Sequence, residues 1–213
     1  MMLVTILIVF ILILILLIFR KFLSLKTIHL VYGRYSYEFV RHYKRLAKKS
    51  PYPYCFKDDI MPYLRLSRRS DKEITSFQTD KNIIFESIPF GTDESGLLSS
   101  FKSPDCFNVF RINGQDLKAY GFKIFEFEKE VKVVFYFLDR VYVMGEYIID
   151  HVNEKDIGRI SKQILDQFGL SIKYTASKYL IENKESSLFF YENGFSIIIR
   201  YTDNRNGQFR ELA

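Results

Sequence analysis

The chain has 213 residues, of which 48% are hydrophobic and 26% are charged. This composition excludes an intrinsically disordered chain, and the length fits one ordinary domain with a short additional segment. The 21 Phe and 15 Tyr residues favour β-strands, because aromatic rings pack well on a half-buried pleated surface.

The net charge of +6 is unevenly distributed along the chain. Residues 20–70 hold 13 Lys and Arg against 3 Asp and Glu, whereas residues 71–213 hold 18 against 22. The basic character therefore belongs to the segment that follows the first apolar run, which indicates a local role for this charge.

The start of the chain predicts a membrane-spanning helix over residues 1–20. Between Leu3 and Phe19 only Thr5 is polar, and a helix through the first 19 residues is about 28 Å long, close to the thickness of a bilayer's hydrocarbon core. A secretion signal fits less well, because no basic residue precedes the run and no small-residue cleavage site follows it. The run lacks ionisable residues and GxxxG, so we predict a plain anchor. The predicted span is represented by Leu3, Phe10, Leu16 and Phe19.

The charges that flank the anchor predict its orientation. No Lys or Arg precedes the apolar run, whereas Arg20, Lys21 and Lys26 follow it closely. By the positive-inside rule, the rest of the chain lies in the cytoplasm, beside a plasma or inner membrane. The opposite topology, with an exported domain that belongs to an envelope complex, remains an alternative.

Residues 21–70 are predicted to form a basic juxtamembrane helix and a connector. Ser36 is a suitable N-cap and Pro51 a suitable stop, with apolar residues at helical spacing between them. The helix either lies against anionic lipid or is the first helix of a soluble domain with a solvated basic face. The first interpretation predicts lipid-headgroup contacts for Arg20, Lys21, Lys26, Arg41, Lys44, Arg45, Lys48 and Lys49. Nucleic acid is a less favoured partner, because no recognition motif accompanies the charge.

Residues 71–213 predict an α+β domain with a largely antiparallel sheet and one or two packed amphipathic helices. Asn113-Gly114 and Asn193-Gly194 are strong hairpin signals, and a helix is predicted from a cap at Asn153 to Gly169. Strand-like runs occur at 82–88, 106–112, 117–128, 131–138, 141–149, 170–175, 178–182, 187–192 and 195–202.

The sequence contains no recognisable catalytic, cofactor-binding or metal-binding motif. The three histidines, His29, His42 and His151, are far apart and do not have the spacing of metal ligands. Cys55 and Cys106 predict reduced thiols in the cytoplasm, or one disulfide if the domain is exported. The loop over residues 91–105 contains apolar residues that form either a partner site or cover for the sheet. These residues are Leu97, Leu98 and Phe101.

Together these features predict a single-pass membrane-anchored protein whose cytoplasmic α+β domain binds a protein partner, as a non-catalytic subunit of a membrane assembly. We expect membrane lipid and protein as partners and no cofactor. A membrane-surface enzyme without a visible motif and an exported envelope-complex domain remain the alternatives.

Overall fold

A computed structural model describes residues 2–55, 74–101, 103–112, 114–170 and 176–207. In the first helix, the side chains of residues 2–7, 16, 18, 21 and 22 lie outside this description. The described helices are α1 (Met2–Tyr32), α2 (Tyr37–Ala47), α3 (Glu94–Ser100) and α4 (Glu154–Phe168). The described strands are β1 (Thr75–Gln78), β2 (Cys106–Ile112), β3 (Gln115–Glu126), β4 (Lys129–Leu138), β5 (Val141–Asp150), β6 (Lys178–Glu182), β7 (Ser186–Glu192) and β8 (Ser196–Asp203).

Helix α1 continues well past the apolar run and ends only at Tyr32. Its described apolar side chains between Ile8 and Phe19 are 47% to 63% exposed. Within the part of the chain that the structure describes, no helix has both the length and the apolarity needed to cross a membrane.

The strands form one sheet in the order β1-β6-β7-β8-β5-β4-β3-β2. In the described residues, β1 and β6 are parallel and every other neighbouring pair is antiparallel. The predicted α+β class and largely antiparallel sheet are therefore confirmed. Strands β2 to β5 follow one another as hairpins, β6 to β8 do the same, and β8 lies beside β5.

Tight turns join the consecutive strands. Phe127 and Glu128 connect β3 to β4 with φ angles of 53° and 61°, and Asp139 and Arg140 connect β4 to β5 with 46° and 73°. Two adjacent residues with positive φ are typical of the hairpin turn whose twist matches the strands it joins. The Asn193-Gly194 hairpin is also confirmed: the Asn193 side chain accepts hydrogen bonds from the backbone N–H groups of Phe195 and Ser196.

Some sequence-based predictions were wrong. The run 82–88 is not a strand, because Glu86 and Ser87 have positive φ and reverse the chain between the paired residues Phe85 and Ile88. The predicted loop 91–105 contains α3, whose N-cap is Asp93. Strand β1 was not predicted, because it has only four residues and most of them are exposed. The predicted strand over 170–175 and the boundary near residue 70 fall on positions 171–175 and 56–73, outside the described residues.

Helix α4 packs its buried stripe, which includes Ile160, Ile164 and Phe168, into the main core of the sheet. Its ends are those predicted: Asn153 forms a capping box with Asp156, and Gly169 ends the helix at φ 72°.

The outer edge of β2 is partly covered by residues 53–55. The N–H of Phe107 donates to the Pro53 carbonyl oxygen at 3.0 Å, and the N–H of Cys55 donates to Asn108 Oδ1 at 2.6 Å. A disulfide joins Cys55 to Cys106, both of them buried. Gly121 lies opposite Cys106 in the β2–β3 register, and a Cβ atom there would collide with the Cys106 sulfur. Of the two states predicted for these cysteines, the structure has the disulfide.

Candidate functional site

Helices α1 and α2 form an antiparallel pair, joined by a short turn. Ser36 caps α2 by accepting a hydrogen bond from the N–H of Phe39 at 3.1 Å. The ring of His29 lies 5.6 Å from that of Phe39, and Ser24 Oγ lies 3.1 Å from His42 Nε2. Residue numbers fall along α1 as they rise along α2, so α2 runs back toward the apolar run.

This reversal decides which residues lie at the same level. An α-helix rises about 1.5 Å per residue, so Lys48 lies about 9 Å beyond His42 along α2. The same distance from Ser24 along α1 reaches roughly the end of the apolar run, beside Arg20. The basic end of α2 therefore lies level with the first cations of α1.

A groove of about 420 Å³ lies between α2 and β2. Four cations and three less polar side chains line it: Arg41, Lys44, Arg45 and Lys48, with Tyr37, Val40 and Val109. We call this cavity the basic groove. Successive turns of α2 present the cations along the groove, and Val40, at 6% exposure, forms part of its buried floor.

In the described structure, the four cations of the basic groove have no carboxylate within ion-pair distance. The carboxylate of Glu38 on α2 is engaged at 2.9 Å by Arg111, which also pairs with Asp116 at 2.6 Å. Cations in the last turn of a helix interact favourably with its dipole, which accounts for Lys44 and Arg45 on structural grounds alone.

The predicted headgroup residues are thus partly brought together. Arg41, Lys44, Arg45 and Lys48 line the basic groove, Lys49 is exposed just beyond it, and Arg20 and Lys26 are exposed on α1. The side chain of Lys21, like those of Leu3 and Leu16, lies outside the described residues. Phe10 and Phe19 are exposed on α1 at 63% and 60%.

The predicted partner loop lies largely against the core. Leu97 is 1% exposed, and Leu98 packs partly against the same core. The ring of Phe101 contacts those of Phe122 and Phe135 at centroid distances of 5.0 and 5.2 Å. Covering the sheet accounts for the positions of all three residues, and their role as a partner site stays a prediction.

A buried polar cluster that sequence reasoning missed joins α3 to β3. Lys118 Nζ lies 2.9 and 2.8 Å from the two carboxylate oxygens of Glu94, and the Tyr120 hydroxyl donates to the same carboxylate. Burial raises the pKa of Tyr120, and the neighbouring Glu94 carboxylate raises it further. The cluster borders a cavity of about 280 Å³. Because both oxygens of Glu94 already accept hydrogen bonds, this carboxylate is a poor general base. The sequence did contain one signal of this cluster: Lys118 and Tyr120 are two residues apart on a strand, and such residues lie on the same face of the sheet.

A second missed cluster crosses the sheet. Arg200 on β8 donates from Nε to Glu146 on β5 at 2.5 Å, and Tyr136 on β4 donates to the other Glu146 oxygen at 2.7 Å. Arg200 is 1% exposed and Glu146 0%. The arrangement compensates charges inside the protein.

For metal binding, the described residues contain no group of three or more His, Cys, Asp or Glu side chains that could hold an ion. His151 is exposed, and its carbonyl oxygen accepts a hydrogen bond from Lys129 at 3.0 Å. In comparisons with known proteins, no family model, curated protein or solved structure matches the chain.

Proposed function

We propose that the chain is a single-pass membrane protein in which α1 anchors the α+β domain to a bilayer, and that the domain binds a protein partner as a non-catalytic subunit of a membrane assembly. The observation that carries this proposal is the antiparallel α1–α2 pair, which brings the basic groove level with the end of the apolar run. Headgroup phosphates would lie at this level beside an anchored helix.

The anchor itself is supported by the sequence and by the exposure of α1. Only Thr5 is polar between Leu3 and Phe19, and the described apolar side chains of this run have no protein cover over about half of their surface. The described side chains are only part of the run, so the proposal rests on the sequence for residues 2–7, 16 and 18.

Partner binding is supported by two exposed aromatic rings. Phe125 near the end of β3 is 76% exposed, and Phe195 just before β8 is 81% exposed. The strand registers place Phe125 and Ser196, the residue after Phe195, at the same end of the sheet, three strands apart, which corresponds to about 14 Å. The end of α1 lies at the opposite end, where Tyr32 shares a cavity with Asp139 and Arg140. The proposed partner surface therefore faces away from the end of α1.

A fractionation and capture experiment tests both parts of the proposal. We expect the full chain to stay in membranes through a high-salt and carbonate wash, and to carry a partner through extraction in mild detergent. The double variant Phe125→Ser/Phe195→Ser should lose the partner while remaining in the membrane. Ile84→Ser, at a side chain that is 46% exposed elsewhere on the domain, is the control. Release by the wash would refute the anchor, and recovery of a lone monomer would refute the subunit role.

For orientation, we propose a cytoplasmic domain, because basic residues follow the apolar run and none precede it. The second candidate, an exported domain of an envelope complex, is favoured by the Cys55–Cys106 disulfide, since disulfides persist in oxidising compartments. A reporter active only outside the cytoplasm, fused after Ala213, distinguishes the two. An inactive reporter together with thiols that can be alkylated supports the cytoplasmic domain. An active reporter with protected cysteines establishes the exported one.

A further inference from the structure

We infer that the basic groove is a binding site for the phosphate of one anionic phospholipid headgroup. This inference rests on the proposed membrane attachment and deepens it. Attraction between a basic surface and an anionic bilayer can be diffuse, with many lipids exchanging freely. A cavity with four cations along one wall and apolar side chains beside them instead predicts a saturable site that retains a single lipid.

The charge of the groove is the first argument. Arg41, Lys44, Arg45 and Lys48 line one cavity, and none of them pairs with a carboxylate among the residues that the structure describes. Arg111 occupies the carboxylates of Glu38 and Asp116, so neither is free to neutralise the groove. Arginine and lysine donors converging on one cavity suit a phosphate, which accepts several charge-assisted hydrogen bonds.

The shape of the groove is the second argument. Tyr37 and Val109 supply apolar surface beside the cations. The ring of Tyr37 is held in place by Arg111, whose guanidinium carbon lies 4.5 Å from the ring centroid. A volume of about 420 Å³ is within the usual range for small-molecule sites. Such a wall can contact the glycerol carbons of a phospholipid, which a free phosphate ion lacks.

The level of the groove is the third argument, and it selects a lipid over a soluble phosphate. The basic end of α2 lies beside the part of α1 that follows the apolar run. For an anchored chain, this position holds the groove among headgroups, where the effective concentration of lipid phosphate is high. A soluble anion would have to compete with that concentration.

The test uses the full chain in lipid nanodiscs made of phosphatidylcholine with a minor fraction of phosphatidylglycerol. Native mass spectrometry counts the lipids that each released chain retains. We expect one phosphatidylglycerol per chain. Arg45→Gln/Lys48→Gln should reduce the retained fraction at least tenfold. The matched control Lys155→Gln/Lys162→Gln removes the same charge from exposed positions on α4 and should retain the lipid. Inorganic phosphate added in millimolar excess should not displace it.

Several results would overturn the inference. Equal retention of phosphatidylcholine, equal loss in the groove and control variants, or no retained lipid would each exclude a specific headgroup site. Displacement by inorganic phosphate would assign the groove to a soluble anion. Circular dichroism of both variants must match the wild type, and Arg41→Gln replaces the double variant if it does not. A chain that fails to enter nanodiscs refutes the anchor, whereas an inserted chain without selective retention refutes only the groove assignment.

Discussion

The buried charged side chains of the sheet and the exposed cations of α2 differ in whether they have an ion-pair partner. Within the sheet, Arg200 lies 2.5 Å from Glu146, and between the sheet and α3, Lys118 lies 2.8 Å from Glu94. On α2, the four cations of the basic groove lack a carboxylate partner among the described residues. A buried charge must be paired for the fold to be stable, whereas an exposed one need not be. The difference separates charges that hold the fold together from charges that remain available to a ligand.

The largest effect should follow from breaking the pair inside the sheet. Glu146→Ala removes the carboxylate that both Arg200 and Tyr136 contact, and we expect it to lower the free energy of unfolding by about 3–5 kcal/mol. Guanidinium unfolding in detergent, followed by circular dichroism, measures this change. Glu130→Ala removes the partner of exposed Lys123 and should cost no more than about 0.5 kcal/mol. Equal costs for the two variants would mean that burial does not set the value of these pairs.

A steric change in the core should have the next largest effect. Gly145→Ala places a methyl group against the Phe85 ring and the Tyr142 hydroxyl, and we expect a loss of about 1–3 kcal/mol in the same unfolding assay. Gly158→Ala on α4 meets no atom within 4 Å and should stabilise the protein by up to about 1 kcal/mol. If Gly145→Ala is tolerated as well as Gly158→Ala, the core beside β5 is less closely packed than the structure indicates.

The cap of α4 should contribute a smaller amount. Asn153→Ala removes the side chain that accepts a hydrogen bond from the N–H of Asp156 at 3.0 Å, and we expect a loss of about 1 kcal/mol. Asn153→Ser keeps an acceptor at this position and should recover most of the stability in thermal unfolding. A serine variant as unstable as the alanine variant would argue against capping as the cause.

The same cap predicts a dependence of stability on pH. Hydrogen bonding from the Lys129 ammonium group lowers the pKa of Asp156 below its ordinary value of 3.8, with help from Asn153 and Arg159. The stabilisation is present in full above that ordinary value and is lost as the pH falls through the lowered pKa. Unfolding curves of the wild type and Asp156→Asn between about pH 5 and pH 2 should therefore converge on acidification. Parallel curves would contradict this assignment.

The smallest effect on stability is expected in the basic groove. Arg45→Gln/Lys48→Gln removes no ion pair that the described structure contains, so the free energy of unfolding should change by less than about 0.5 kcal/mol. Guanidinium unfolding beside Glu146→Ala gives the direct comparison. A loss of more than about 2 kcal/mol would mean that these cations hold the fold together, as the buried pairs do.

Local patterns predicted the elements that local chemistry determines. Asn153 and Gly169 mark the ends of α4 because a cap and a left-handed residue act within one helical turn. The Asn193-Gly194 turn is also determined locally, because the Asn193 side chain accepts a hydrogen bond from the N–H of Ser196. By contrast, Glu86 and Ser87 adopt a turn with no glycine, so an apolar run that resembled a strand is interrupted.

The candidate site depended on contacts that a single sequence does not display. Alternation along β8 predicts that Arg200 and Ile199 lie on opposite faces of the sheet. It does not predict that the carboxylate partner of Arg200 is Glu146 on another strand. The composition of the sequence identified the cations of α2. Their position beside the start of the basic part of α1 follows from the antiparallel packing of the two helices, which only the contacts of His29 and His42 reveal.

The Cys55–Cys106 disulfide also makes part of the backbone a covalent ring. Its two cysteines are 51 positions apart, and the ring includes β1 and α3. A single proteolytic cut between residues 56 and 105 would leave both fragments linked through sulfur. The nicked chain would run as one band on a non-reducing gel and as two bands after reduction. Oxidised protein would thus retain helix α1 and its sheet in one molecule after a cut that divides the reduced chain.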